Sequence, residues 1–460
     1  MSSDGLEQAR QKMMEAGVAA EAIDVFAHYY GELESGATGL ISEDTIDPLT
    51  DPPTLSEIPP DHEAERAALA QTAIIKLNGG LGTSMGMEKA KSLLPVRDGQ
   101  TFLDLIVRQV RSVRERYDVS LPLIFMDSFR TQADTLAALA GHPDVAVAGL
   151  PLDFLQNSEP KLLASDLTPV AWPKDPTLEW CPPGHGDLYT AILASGVLQA
   201  LVEAGYRYAS VSNADNLGAA PDPALAAWFA QSGAPYAAEV CDRTAADRKG
   251  GHLAVRRSDG RLILRDTAQT PPDEMDFFTD IKRHPFFHTN NLWFDLQQLA
   301  AALRDGGAVL GLPLIRNLKT VDPSDSSSPE VVQIETAMGA AIEVFEGAQA
   351  ITVPRSRFLP VKTTNDLLLL RSDAYEVRSD GTLSLVPSAA PLIDLDPAHY
   401  KTVAKFDTRF PAGAPSLRRA QRLTVRGDWT FGRDVTVVGD GDLEDSGQPG
   451  EVAAGTILGE

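Results

Sequence analysis

An apolar run that collapses into a glycine loop constrains this chain more than any other stretch. It reads Ala73-Ile74-Ile75-Lys76-Leu77-Asn78-Gly79-Gly80-Leu81-Gly82-Thr83-Ser84-Met85-Gly86, and Lys89-Ala90-Lys91-Ser92 follows shortly. A short apolar run of this kind predicts a buried strand. The loop after it holds Gly79, Gly80, Gly82 and Gly86. Without Cβ atoms such a loop can lay backbone N–H groups against a bulky anion. Strand, glycine loop and lysines together suggest a nucleotide-phosphate cradle. The spacing is neither that of a P-loop, since Gly80 meets Met85 where the second glycine belongs, nor that of a dinucleotide fingerprint, since Gly86 comes one residue late. On spacing alone, an ordinary tight strand-to-helix turn is an equal reading.

The chain has 460 residues, enough for two or three domains. Its net charge of −24 argues against a diffuse basic surface for nucleic acid or anionic lipid. A polyphosphate ligand would need a few local lysines and a divalent metal. Cys181 and Cys241 are too few for a disulfide framework. Met1-Ser2-Ser3-Asp4 lacks the regions of a signal peptide, and no apolar run reaches membrane-spanning length. These features predict a reduced, cytoplasmic protein with no nucleic-acid and no membrane partner.

Residues 5–34 carry apolar groups at helical spacing and predict two amphipathic helices broken near Gly17, a packing or partner-binding extension. Residues 42–62, rich in proline and acids, read as a connector wrapped on the surface. Strands are then predicted from Thr72, over Leu121–Met126, Val145–Leu150 and Tyr208–Asn213. Helices are predicted over Phe102–Tyr117 and Leu188–Ala204. This alternation argues for an α/β sheet with its chemistry at strand ends. In the tail, Val425, Phe431, Val437 and Leu443 recur every six residues, with glycines between them. A hexapeptide period marks a β-helix. Chance alternation in a β-rich tail is the alternative. The predicted organisation is a helical extension (1–55), a Rossmann-like domain on a mixed sheet (56–387) and a β-helical tail (388–460).

Four further strings could carry chemistry. Pro182-Pro183-Gly184-His185-Gly186-Asp187 exposes a histidine between glycines, although Asp187 reads equally well as a helix cap. Asp215, in Val211-Ser212-Asn213-Ala214-Asp215-Asn216, suits Mg²⁺ at a strand end, or simply makes a turn. Lys249-Gly250-Gly251 and His288-Thr289-Asn290-Asn291 suit a sugar face and its hydroxyls, or a hairpin turn and local caps. Pro285 makes a metal-binding helix face from His284 and His288 improbable. Val353-Pro354-Arg355-Ser356-Arg357-Phe358-Leu359-Pro360-Val361-Lys362 gathers basic residues in an extended segment, or forms a solvated basic edge strand.

Taken together, Leu-Asn-Gly-Gly-Leu-Gly-Thr-Ser-Met-Gly with the later Lys91-Ser92, the Gly-His-Gly segment, Phe154-Leu155-Gln156-Asn157, Asn216-Leu217-Gly218-Ala219, Glu335-Thr336-Ala337-Met338-Gly339-Ala340-Ala341 and Pro354–Lys362 resemble the eukaryotic-type UTP–glucose-1-phosphate uridylyltransferase family. The resemblance runs from about residue 72 to 370, weaker in the tail. It implies reversible formation of UDP-glucose and pyrophosphate from UTP and glucose 1-phosphate, with Mg²⁺. It implies a left-handed β-helix at the C-terminus and leaves room for a homo-oligomer built through it. It implies that Leu77, Asn78, Gly79 and Gly80 hold the uridine, that Gln156 reads uracil and that Gly184 meets the nucleotide. Lys91 and Lys362 would neutralise phosphate charge, and Asp215 would meet the metal and the nucleotide phosphate. His185, Asn213, Gly250, Asp266, Asn290 and Asn291 would serve the sugar phosphate. The chain departs from the family at Met87-Glu88-Lys89-Ala90, which makes Lys89 a decoy, and at Asp266, which stands where glutamate is common. Rival readings are a uridylyltransferase for galactose 1-phosphate or N-acetylglucosamine 1-phosphate, and a non-catalytic sugar-nucleotide sensor.

Overall fold

The Thr72–Leu77 strand lies inside a ten-stranded mixed sheet. It pairs in parallel with Tyr208–Asn213 on one side and with Leu123–Asp127 on the other. Asp153–Leu155 continues the parallel run, while Phe286–Asp295 pairs antiparallel to Tyr208–Asn213. The computed structural model describes residues 3–244, 247 and 250–459. Side chains alternate across a strand. Ile74 therefore enters the apolar core on one face of the sheet, and Ala73 and Ile75 enter the core on the other. Burial on both faces explains why this strand reads as a continuous apolar run.

The parallel register places Leu77 beside Asn213 and Met126, so the C-terminal ends of these strands open together. Ligands of open α/β sheets bind at this edge.

The Phe102–Tyr117 helix has its predicted limits. A reciprocal capping box between Thr101 and Asp104 starts it, and Asp118 ends it in the left-handed region at φ 53°. Three predicted elements need correction. Val145–Leu150 is not a strand: a tight Pro143–Val145 turn precedes it and Gly149 adopts φ 82°, so the next strand is Asp153–Leu155. Leu188–Ala204 is two helices, Leu188–Ala194 and Val197–Glu203, broken at Gly196 with φ 76°. The 42–62 connector is woven in over residues 43–49 and lies on the surface, as expected, only beyond them. Ile46–Pro48 pairs with His252–Arg256, and buried Glu43 neutralises the fully buried Arg265, with Arg283 and His284 beside it. Burial pushes the Glu43 carboxyl up, but hydrogen bonding and charge from Arg283 and His284 hold it below its ordinary value.

The N-terminal helices, Ser3–Glu15 and Ala20–Glu34, break where expected and pack Phe26, Tyr29 and Tyr30 into the second core. In the tail, Leu392–Leu395, Ser416–Val425, Thr436–Leu443 and Ile457–Leu458 stack as parallel strands. Trp429–Phe431 pairs in parallel with Gly450–Val452. Val425, Phe431 and Val437 point inward and are fully buried. They join the first core rather than forming a separate one. No described helix is long and apolar enough to cross a membrane.

Candidate active site

The strand ends enclose a cavity of about 500 Å³. Ten of the residues singled out from sequence line it: Leu77, Asn78, Gly79, Gly80, Lys91, Gln156, Gly184, His185, Asn213 and Asp215. Gly82 and Gly86 adopt φ 66° and 70°, which L side chains rarely take. The Lys91 backbone N–H closes the loop on the Gly80 carbonyl at 3.1 Å. Gly79 is required for a different reason. A Cβ there would lie 2.5 Å from Gln156 Oε1, so only glycine lets the glutamine side chain cross this wall.

Asn78 presents its backbone to the cavity. Its side chain turns inward and donates to Asp127 Oδ1 at 2.8 Å and Thr135 Oγ1 at 2.9 Å. Burial pushes the Asp127 carboxyl up to about 6, against three hydrogen bonds that pull it down.

Lys91 Nζ donates to Asp215 Oδ2 at 2.6 Å, and both side chains are partly buried on the cavity wall. Asp215 is the only carboxylate among the described residues of that wall. Lys89 is exposed and off the wall.

His185 is open to the cavity, and its Nδ1 accepts the Met338 N–H at 2.9 Å. That bond leaves the proton of the neutral ring on Nε2. Loss of bulk water around the ring lowers its pKa, with the charges of Asp266 and Glu335 opposing. Gly184 and Gly186 pack directly on Thr336, where a Cβ on Gly186 would lie 2.2 Å from Oγ1. Asp187 does not cap the following helix: its carboxylate accepts from Asn157 instead.

Five sequence candidates are not on this wall. Lys362 is exposed and lines a neighbouring cavity of about 370 Å³ with Arg355, Phe358 and Asp366. It is still one residue from Val361, whose N–H donates to the Asp215 carbonyl at 3.3 Å. Gly250 is explained by packing, because a Cβ would overlap the Phe287 ring at 1.9 Å. Lys249 lies outside the described residues. Asp266 caps the Thr267–Gln269 turn in a reciprocal capping box. Asn290 has φ 60° where the pairing of Phe286–Asp295 with Tyr236–Asp242 shifts register, a bulge that asparagine tolerates. Asn291 is buried, donating to Glu239 Oε2 at 3.1 Å and accepting from Asn216 at 3.2 Å. Fold chemistry thus occupies the side chains of Asp266 and Asn291.

Two contributors were not legible as such. Ser92 lines the cavity, and its buried Oγ has no partner among the described residues. Its place one residue after Lys91 was the only signal. Lys76, fully buried, donates from Nζ to Ser212 Oγ at 2.7 Å and to the Ala219 carbonyl at 2.8 Å. It thereby braces both ends of the turn carrying Asp215. Burial pushes its pKa down to about 7, with the Arg357 charge adding to the fall and Glu239 opposing it. A lysine inside an apolar strand was the available clue.

Comparison with known proteins decides the identity. Residues 23–438 match the UTP–glucose-1-phosphate uridylyltransferase family. The chain belongs to that family. The Saccharomyces cerevisiae UTP–glucose-1-phosphate uridylyltransferase is 41% identical over 375 residues, covering 81% of this chain and 73% of the yeast protein. The Hordeum vulgare enzyme is 38% identical over 445 residues, 95% of this chain and 91% of its own. The crystal structure of a point mutant of UDP-glucose pyrophosphorylase from Leishmania major, in complex with UDP-glucose, superimposes with a TM-score of 0.92 at 42% identity, covering 100% of this chain and 98% of the other. Uridylyl transfer from UTP to glucose 1-phosphate, the family's activity, is the chemistry this fold serves.

Proposed function

We propose that this transfer takes place in the cavity at the strand ends, by direct in-line attack of glucose 1-phosphate on the α-phosphorus of UTP. UDP-glucose forms, pyrophosphate leaves, and the reaction is reversible. No covalent enzyme intermediate is needed, because the attacking phosphate is already anionic. Alignment and charge neutralisation remain as the protein's tasks. The observation that carries this reading is the Lys91–Asp215 ion pair beside the glycine loop. The wall thus holds both a cation for phosphate and a carboxylate for a metal.

In this reading the Leu77–Gly80 backbone holds the uridine and Gln156 reads uracil, with Gly184 against the nucleotide. His185 and Asn213 face the sugar phosphate. Lys91 exchanges Asp215 for a phosphate oxygen, and Lys362 reaches the phosphates from the adjoining cavity.

The donor set fits Mg²⁺. No cluster of three or more His, Cys, Asp or Glu that could cage a metal occurs among the described residues. Mg²⁺ does not need one, since it takes one or two carboxylates and completes its shell with phosphate oxygens and water. Asp215 would hold it, and the ion would supply neutralising charge to the phosphates.

The parallel strands of the tail support a left-handed β-helix, and the proposed units remain 1–55, 56–387 and 388–460. Assembly through the tail is part of the same proposal. The free, buried Cys181 and Cys241 support a reducing, cytoplasmic setting.

Pyrophosphate release from UTP across a panel of sugar 1-phosphates tests the substrate. The reading requires glucose 1-phosphate to be the preferred acceptor and is overturned by no turnover, or by preference for galactose or N-acetylglucosamine 1-phosphate. For the metal, Asp215→Asn should raise the Mg²⁺ concentration needed for half-maximal rate. An unchanged Mg²⁺ titration would remove Asp215 from the metal site.

A further inference from the structure

The base end and the sugar end of the proposed site sit on different parts of the chain. Gln156 follows the Asp153–Leu155 strand, whereas His185 lies in the turn before the Leu188–Ala194 helix. Gln156 N–H donates to the Asp127 carbonyl at 2.8 Å, and the next strand begins only at Glu159. Between those points a side-chain pair fastens the segment. Asn157 N–H donates to Asp187 Oδ2 at 2.6 Å, and Asn157 Nδ2 donates to Asp187 Oδ1 at 2.7 Å. Asp187 is only 4% exposed.

The residue type follows from this geometry. Each oxygen faces a donor, and a carboxylate is the side chain that accepts at both ends. An asparagine would set its own NH₂ against one of those donors. The arrangement is also costly to hold, since burial pushes the Asp187 carboxyl up to about 6 and the two Asn157 bonds only partly offset this. A helix-capping role does not explain it, because Asp187 makes no side-chain cap.

We propose that Asp187 is a positioning residue whose two-point grip on Asn157 fixes Gln156 and His185 as a single wall, setting the distance between the nucleobase and the sugar phosphate. A void of about 20 Å³ lies behind this pair, lined also by Met13 and Phe26 of the N-terminal helices. Little space exists there for the pair to shift without moving the wall. The inference rests on the assignment of Gln156 to the base and His185 to the sugar phosphate.

The test is an exchange of partners. Asp187→Asn alone should cut kcat/KM for UTP by about ten- to a hundredfold, the scale of a sub-ångström to 1 Å misplacement. In the double variant Asn157→Asp/Asp187→Asn, the new asparagine's carbonyl takes the backbone N–H and its NH₂ meets the new carboxylate. Kinetics should recover most of the loss. Thermal midpoints of all variants separate positioning from folding. A double variant as impaired as the single one, with a wild-type midpoint, would overturn the proposal. So would an Asp187→Asn enzyme within twofold of wild type. If Asp187→Asn does not fold, Asn157→Ala keeps the buried carboxylate and one bond. It should raise KM for UTP severalfold, and wild-type kinetics there would equally overturn the proposal. The site assignment is judged separately, by whether Gln156→Ala alters the UTP-to-CTP ratio.

Discussion

The strand ends that line the cavity and the segment from Val353 to Lys362 beside it are built differently. At the strand ends, the glycine loop, Gln156, Asn213 and Asp215 take positions that the hydrogen-bond register of the sheet aligns. Off that wall, the segment from Val353 to Lys362 has, among the described residues, only an isolated bridge from Pro360 to Asn216 beyond Val353, and the side chains of Arg355 and Arg357 serve the fold. Arg357 is buried against Glu239 in a bidentate pair at 2.7 and 2.9 Å, and Arg355 pairs with Asp247 at 2.7 Å. The predicted solvated basic edge is therefore absent at Arg357. A motif residue at a strand end inherits its position from the sheet. A motif residue on a crossing segment has a position set by whatever its neighbours need.

The largest effect should come from breaking the fold side. Arg357→Met leaves the Glu239 carboxylate buried with, among the described residues, only Asn291 and Trp293 as donors. Removing one partner of a buried pair costs about 3–5 kcal/mol. Denaturant unfolding should show a loss of that size, and a loss below about 1 kcal/mol would mean that water reaches Glu239.

Next come the two lysines proposed to meet phosphate. Lys91→Ala and Lys362→Ala should each slow turnover by about a hundred- to a thousandfold with the thermal midpoint kept, the usual scale for a lost electrostatic stabiliser. Lys89→Ala should be mild. An inactive Lys89→Ala enzyme beside an active Lys91→Ala enzyme would place the loop register one lysine too late. Full activity in Lys362→Ala would confine the chemistry to the strand-end side.

Gln156→Ala tests the proposed base contact at the strand ends. Its carbonyl and NH₂ can pair with uracil N3–H and a ring carbonyl, a pattern that cytosine reverses. The ratio of kcat/KM for UTP over CTP should fall by more than glucose 1-phosphate binding weakens. An unchanged ratio would assign discrimination to the Asn78–Gly80 backbone.

A further effect is a pH dependence at Lys76. Its pKa, lowered to about 7 in the fold, returns to the ordinary lysine value on unfolding. Between those values the unfolded chain binds the extra proton, so this group's contribution to stability rises with pH from about 7 toward 10.5 and is flat below 7. The stability of wild type relative to Lys76→Met should therefore shift in favour of wild type between pH 6.5 and 9. A constant difference would mean that Lys76 stays charged through that range.

What the sequence made legible follows the same division. The Phe102–Tyr117 helix, the Thr72–Leu77 strand and the Tyr208–Asn213 strand emerged because capping, periodicity and two-sided burial are local signals. The break at Gly196 and the turn at Gly149 were hidden, because apolar periodicity continues through a single left-handed glycine. Asn290 and Gly250 are candidates for the sugar because amides and glycines suit that role. Their roles in a bulge and against Phe287 depend on strands distant in sequence. The Lys362 string named the right family while leaving the lysine's place to tertiary packing.

The Lys91–Asp215 pair also bears on how substrates arrive. Held together at 2.6 Å, the two charges cancel each other, so the lysine on the cavity wall projects little field outward. A chain of net charge −24 then meets a polyanion with its long-range repulsion offset only by exposed lysines such as Lys362. Salt screens that repulsion while leaving a partly buried pair nearly untouched. Encounter with UTP should accordingly quicken as ionic strength rises from very low values, opposite in sign to an enzyme that draws its nucleotide down a basic funnel.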